Sequence, residues 1–354
     1  MKRLLALILC AVLLYPCAAL AEDAQIIGIG TPEQLLNVKN KPDASYILTA
    51  DLDMTGVAWV PFAFTGTLDG AGHAILNLTV TQTDPEKGKT VDGLHRGYDT
   101  AFAGLFSRLV GGTVKNLTLL GLNISVETED AAFVGGIAAF ADNAAVENCS
   151  VSGRMYCRQG GNMCGVGGIL GFGTGNVTAS NADVTLVLTD TNTQSPSEAF
   201  LGGVCACGYP NVESCTVTLD GYLSAHGYVH SGGLIGMDHI HERKLEDKVR
   251  TRVRFSTVDA RITFFEDSPE RRAYCKPFVG EKSNDLAVVA KNEEVRFEKV
   301  ETDDYTKELL PEVCAKPVYT DIVTKPTGDS FGFTTHTCKV CGYRFTDRYT
   351  KKIG

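Results

Sequence analysis

"AGLFSRLVGGTVKNLTLLG", residues 103–121, carries two short markers whose recurrence decides the fold. Its second half contains Asn116-Leu117-Thr118, which spells an acceptor for N-linked glycan. The surrounding frame, V-x-N-x-x-V, recurs as ILNLTV at 75–80, VENCSV at 146–151, ASNADV at 179–184 and VESCTV at 212–217. It continues, with phenylalanine in the third column, as VRFSTV at 253–258 and VRFEKV at 295–300. The column therefore reads Asn77, Asn116, Asn148, Asn181, Ser214, Phe255, Phe297.

A second marker keeps step with it. AGLF, VGGIAAF, VGGILGF, LGGVCAC and SGGLIGM place glycines at 104, 136, 168, 203 and 233, spaced 32, 32, 35 and 30 residues apart. Two independent markers sharing one period indicate a repeat. Each marker is a run of β-branched or small residues with polar and apolar positions alternating, and glycine, asparagine and aspartate lie between the runs. That is strand and turn chemistry. A unit of about 30 residues made only of strands cannot bury its apolar side alone, so it must stack on its neighbours. The expected fold is all-β: a right-handed parallel β-helix of about seven rungs over 46–300. In such a stack the ladder Asn77, Asn116, Asn148, Asn181 and Ser214 marks one corner. There asparagine tolerates left-handed backbone and its amide bonds the next rung. The N-L-T triplets are thus read as corners, not glycan sites.

The same reading identifies residues 46–80 as the start of the array. Leu48-x-x-Asp51-Leu52-Asp53, Trp59-x-Pro61 and then F-x-G-x-L-D-G-x-G-H-x-I-x-N-L from Phe64 resemble the opening of GLUG-type repeat proteins, which are exported and surface-associated in bacteria. The resemblance covers about 45–260 well and 260–300 loosely. It implies a right-handed parallel β-helix and says little about chemistry. His73, beside Asp69, is read through it as a corner residue and not as an acid–base pair.

Both ends differ from the array. Lys2 and Arg3 precede LLALILCAVLL, and Ala19-Leu20-Ala21 ends it, the pattern of a secretory signal over 1–21. Leu14, Tyr15 and Pro16 before Cys17 lack the small side chains of a lipoprotein signal. Residues 22–45 are expected to form an N-terminal cap with a short helix, since Thr31 can cap it and Pro32 suits its first position. An acidic connector occupies 301–314. The remainder, 315–354, is expected to be a small β-rich module. Its GFTTHTCKVCGY run at 332–343 resembles C-terminal tail repeats of Gram-positive exported proteins, although Gly328 stands where that family carries a cysteine.

Cys338 and Cys341, with His336 and Cys314, can make up a Cys3His set for structural zinc; a disulfide or free thiols are the alternatives. Ten of the twelve cysteines lie outside the leader. An exported chain with an even number suggests disulfides, while buried thiols acting as small apolar residues stay open. His226, His230, His239 and His241 cluster beside Asp238 and Glu242, without a third metal ligand fixed by spacing. Asp183 and Asp259 are read as out of register, so no carboxylate ladder crosses adjacent rungs and no catalytic residue is assigned.

A net charge of −9 argues against nucleic acid, and no segment after the leader is long and apolar enough to span a membrane. The functional expectation is a secreted or cell-surface, non-catalytic binding or adhesive scaffold for extracellular glycan or protein, without a cofactor other than the zinc considered above. The alternative is a carbohydrate-active enzyme, a polysaccharide lyase or hydrolase, on the same scaffold.

Overall fold

The computed structural model describes residues 25–86, 99–193, 197–238, 251–266, 273–281, 287–300, 318–340 and 344–353. The leader, the connector, Cys314, His239, His241 and Cys341 lie outside the described residues. The described chain is nearly all-β. One helix, Pro32–Leu36, lies near the N-terminus, with Thr31 Oγ1 accepting from the Gln34 amide. No helix among the described residues is long and apolar enough to cross a membrane.

The core repeat has three strands. In one unit they are Ala131–Gly135, Ala138–Glu147 and Ser150–Gln159. In the next they are Met163–Gly167, Leu170–Thr178 and Asn181–Asp190. Each strand pairs in parallel with the strand three places later. The pattern continues through Glu198–Gly202, Cys205–Glu213 and Thr216–Ala225 into Arg252–Glu266. Three parallel ladders result, called here the first, second and third by their order in the unit.

Alternation explains why these residues form them. In Asn181–Asp190, Ala182, Val184, Leu186 and Leu188 point into one shared apolar core, while Asn181, Asp183 and Thr185 point outward. The Gly-Gly marker forms the bend between the first and second ladders. Gly135, Gly167, Gly202 and Gly232 stack in register there. A Cβ on Gly167 would sit 1.9 Å from the Leu170 carbonyl oxygen, so only glycine fits. The bend also closes a second apolar cluster, in which Phe102, Phe133 and Phe200 of the first ladder pack on Phe140 and Phe172 of the second.

The corner between the second and third ladders holds the asparagines, with three corrections to the column read from the sequence. Asn116, Asn148 and Ser214 occupy it in left-handed backbone, with φ of 52°, 51° and 55°. The Asn148 amide donates to Asn116 Oδ1 at 2.9 Å, and the Asn116 amide donates to Asp69 Oδ1 at 3.0 Å. Asn181 is not in the column. It pairs with Ser150 and Thr216 inside the third ladder, and the corner of its rung is Ala179, with φ 49°. The frame there is VTASNA from Val177, so a template keyed on asparagine slips two residues. Asn77 also leaves the column: its amide nitrogen bonds the Leu120 carbonyl, which places it at a different corner. Phe255 keeps its corner position, whereas Phe297 lies within a strand, opposite Ile262.

The next inward column alternates Cys149, Ser180, Cys215 and Ser256. Ser180 Oγ accepts from the Cys149 amide and donates to the Thr178 carbonyl, and Ser256 repeats both contacts for Cys215 and Arg254. Cys149 and Cys215 are therefore two rungs apart, with Ser180 between them. No disulfide joins any two of the eight described cysteines, and all but Cys275 are buried.

The C-terminal sheet is separate in topology. Tyr319–Thr324, Gly332–Cys338 and Arg344–Thr350 pair antiparallel. The sheet nevertheless sits against the array: the Tyr349 amide donates to Asn77 Oδ1 at 3.0 Å, and Asn77 Nδ2 donates to the Tyr349 carbonyl at 2.9 Å. This two-way bond satisfies an edge-strand residue that would otherwise face solvent. It also gives Asn77 its role.

Candidate functional site

The docked tail sheet covers part of the outward face of the third ladder, and a cleft of about 410 Å³ lies between them. Parallel register builds one wall. Ser152, Asp183, Thr218 and Asp259 form one outward column, and Arg154, Thr185, Asp220 and Arg261 form the next. Beyond the cleft lining, the next column of the ladder holds Tyr156, Val187 and Tyr222, where the two tyrosines pack on the valine. The opposite wall is the tail, with Phe333, Phe345 and Thr346. The Arg154 guanidinium carbon lies 5.9 Å from the centre of the Phe345 ring, a cation–π contact that ties the two walls together.

The electrostatics are uneven. Partial desolvation in the cleft pushes the Asp183 carboxyl above the usual carboxylate range. Asp220 is raised first by desolvation; Arg261 opposes this, and the charges of Asp183 and Asp259 add to it. Burial raises the Tyr222 phenol as well, with Asp220 contributing. Among the described residues, no hydrogen bond or ion pair engages the carboxylate of Asp183 or Asp220. Both carboxylates border the cleft, Asp183 exposed and Asp220 half-buried near Arg261, across from Phe333 and Phe345.

The sequence reading missed this site because it took Asp183 and Asp259 to be out of register. They share a column. Aligning SVSGRM, NADVTL, TVTLDG and TVDARI from Ser150, Asn181, Thr216 and Thr257 puts Ser152, Asp183, Thr218 and Asp259 third and Arg154, Thr185, Asp220 and Arg261 fifth. That alignment was the available signal; the slip at Asn181 concealed it.

The residues singled out in the sequence fall elsewhere. His336 is almost fully buried in the tail sheet, where Nδ1 lies 2.8 Å from Asp321 Oδ1 and Nε2 lies 2.7 Å from Asp347 Oδ1. Its ring stacks on Phe345 with centroids 4.6 Å apart. Burial works against a charged ring, but the hydrogen bonds and charges of Asp347 and Asp321 outweigh it and hold the pKa above the usual value. With both nitrogens given to carboxylates, His336 does not fit the fourth place in a Cys3His zinc set. Cys338 is buried on the same strand. No group of three or more His, Cys, Asp or Glu among the described residues is arranged to hold a metal.

His230 stacks between Phe200 and Tyr274, each 5.1 Å away, with Nδ1 2.8 Å from Glu281 Oε2. His73 Nδ1 lies 3.4 Å from Asp51 Oδ1, while Asp69 accepts from the Ala71 and Asn116 nitrogens. Both histidines therefore have structural partners.

No protein-family model matches the chain, and no curated protein matches it either.

Proposed function

We propose that the protein is an exported right-handed parallel β-helix, secreted or held at the cell surface, which presents a non-catalytic binding site for extracellular glycan or protein. The pairing of each strand with the one three places later supports a coil of three-strand rungs, and parallel crossovers within one sheet favour the right hand. The basic, apolar and small-residue succession over 1–21 supports export. The GLUG-type resemblance agrees with both.

The observation that carries the reading is the cleft itself. Asp183 and Asp220 line it across from Phe333 and Phe345, on a stack of paired strands. Rigid backbone fixes such groups at low ordering cost on binding. The raised Asp183 and Asp220 carboxyls, two residues apart in adjacent-rung register, favour one competing reading, that of a polysaccharide hydrolase.

The deciding experiment presents the mature chain to a glycan array and to a panel of extracellular proteins, beside a screen for released reducing ends on polysaccharides. Saturable binding without turnover is expected. Turnover lost in Asp220→Asn would replace the scaffold with the enzyme.

A further inference from the structure

We infer that the C-terminal end of the array is an interface at which two copies of this chain pair end to end about a two-fold axis. The two ends are built differently. At the N-terminal end, Leu35 of the helix and Val38 of the turn after it are fully buried in the shared core. At the other end the last described strand of the array, Ala287–Val300, pairs with Arg252–Glu266 along one edge. Among the described residues no strand pairs along its other edge. The inward side chains record the difference. Val253, Ala260 and Ile262 are buried, whereas Val288, Val295 and Phe297, which stand over them in the last rung, are only half-buried. At the rim, Phe255 is 66% exposed and Val289 58% exposed. Phe255 also holds left-handed backbone, with φ 51°, which is unfavourable for a bulky side chain. An open strand edge beside half-covered apolar side chains is the surface that stacked repeats must close.

That strand fits a second copy of itself. Along 294–298 it alternates exposed Glu294, Arg296 and Glu298 with Val295 and Phe297, which pack on the core. Antiparallel pairing of two such edges, centred on Phe297, keeps the charged faces on one side. It sets each Arg296 opposite Glu298 of the second copy, in two equivalent pairs of opposite charge. The two Phe297 side chains then meet over the joined cores. A register centred on Arg296 sets that residue against itself and Glu294 against Glu298, and like charges directly opposite disfavour it. Within one chain Arg296 touches Glu294, and Arg261 Nη2 lies 3.7 Å from Glu298 Oε2. All four of these side chains are more than half exposed, and exposed ion pairs hold little energy, so re-pairing across the interface costs little. Two-fold pairing uses the open edge on both copies and closes at two. Head-to-tail stacking would instead set this end against Leu35 and Val38, which are already buried in their own core. A dimer presents any site on the array twice, and linked sites hold a repeated ligand more tightly.

The test is sedimentation equilibrium of the intact mature chain over a range of concentrations, beside the variants Arg296→Glu and Arg296→Glu with Glu298→Arg. Both change exposed side chains, and melting curves confirm that they are folded. The native chain is expected to follow a monomer–dimer equilibrium. Arg296→Glu sets like charges opposite each other and is expected to weaken the dimer about tenfold or more. The double variant restores opposite charges and is expected to recover the dimer. A chain that stays monomeric at every concentration overturns the inference. If the amides of Ala287–Val300 are then protected from hydrogen exchange, another segment of the same chain covers the edge. Assembly that grows beyond two copies overturns the two-fold pairing. A dimer indifferent to Arg296→Glu, or one that the double variant leaves as weak as the single, places the interface elsewhere and overturns the inference as well.

Discussion

Asp183 and Asp259 stand in one column of the third ladder with only Thr218 between them, and Asp220 lies on the middle rung one column over. At a rung spacing near 4.8 Å, the two outer aspartates are about 9.6 Å apart along the axis, and both charges act on Asp220. A raised carboxyl pKa means that ionisation disfavours the folded state, so this stability cost is absent at low pH and grows as pH rises through the ordinary carboxylate range. Asp220→Asn should therefore raise the melting temperature at pH 7 and leave it unchanged near pH 3. Asp259→Asn should lower the Asp220 pKa, measured by carboxyl NMR. A higher or unmoved value would break the electrostatic link.

The corner column gives the sharpest stability test. Ala179 sits at φ 49°, where an ordinary L-residue is strained and asparagine is tolerated. Ala179→Asn should stabilise the protein by about 1 kcal/mol, from relief of backbone strain and a continued amide ladder. Asn148→Ala should cost about the same for the converse reasons. Denaturant midpoints at constant slope would measure both. A loss of stability on Ala179→Asn would place the corner elsewhere.

Gly167 admits no side chain, because the Leu170 carbonyl oxygen lies 1.9 Å from where its Cβ would be. Gly167→Ala should cost at least about 3 kcal/mol, the upper range for overpacking. Equilibrium unfolding with a cost below ~1 kcal/mol would mean that the bend accommodates the methyl.

The buried thiols should be inert. Desolvation pushes Cys149 and Cys215 up to about 11 and Cys205 up to about 12, so the reactive thiolate is scarce at pH 8. Alkylation followed by peptide mass mapping should label them only after unfolding. A Cys149–Cys215 disulfide would contradict the register, since two rungs exceed disulfide reach.

His336 should make the tail sensitive to pH. Its folded pKa is raised, so the stability it contributes is complete below the ordinary histidine value and is lost as pH rises through the folded pKa. Protection of the tail-strand amides, corrected for the intrinsic pH dependence of exchange, should fall as pH rises above the ordinary histidine value of about 6.5. In His336→Gln the dependence should flatten. A tail that tightens as pH rises would reverse the assignment of His336 as an imidazolium clamp.

Much of the fold was legible because it is periodic. Gly-Gly recurs where a Cβ would strike a carbonyl, and alternation marks the inward residues of each strand. The asparagine column was legible only where asparagine fills the corner. At Ala179 the backbone keeps its left-handed turn without the residue that signals it, so Asn181, two positions on, was taken instead. The same slip hid the Asp183–Asp259 column. The tail's contribution was not legible at all. Asn77 meets Tyr349 across 272 residues of chain, and no local pattern encodes a contact between an amide side chain and a distant backbone. Phe333 and Phe345 lie in a separate C-terminal segment of the chain, and they become a cleft wall only once that sheet is docked.

The cleft exists only if the tail is docked, and the most direct measurement is amide hydrogen exchange at Tyr349, whose N–H donates to Asn77 Oδ1. Tyr349 should be protected in the native chain. In Asn77→Ala it should lose that protection by about tenfold or more, the equivalent of one hydrogen bond. Thr335, in the central strand of the tail sheet, should keep its own. Unprotected exchange at Tyr349 in the native chain, or protection unchanged by Asn77→Ala, would contradict the docked tail and the cleft with it.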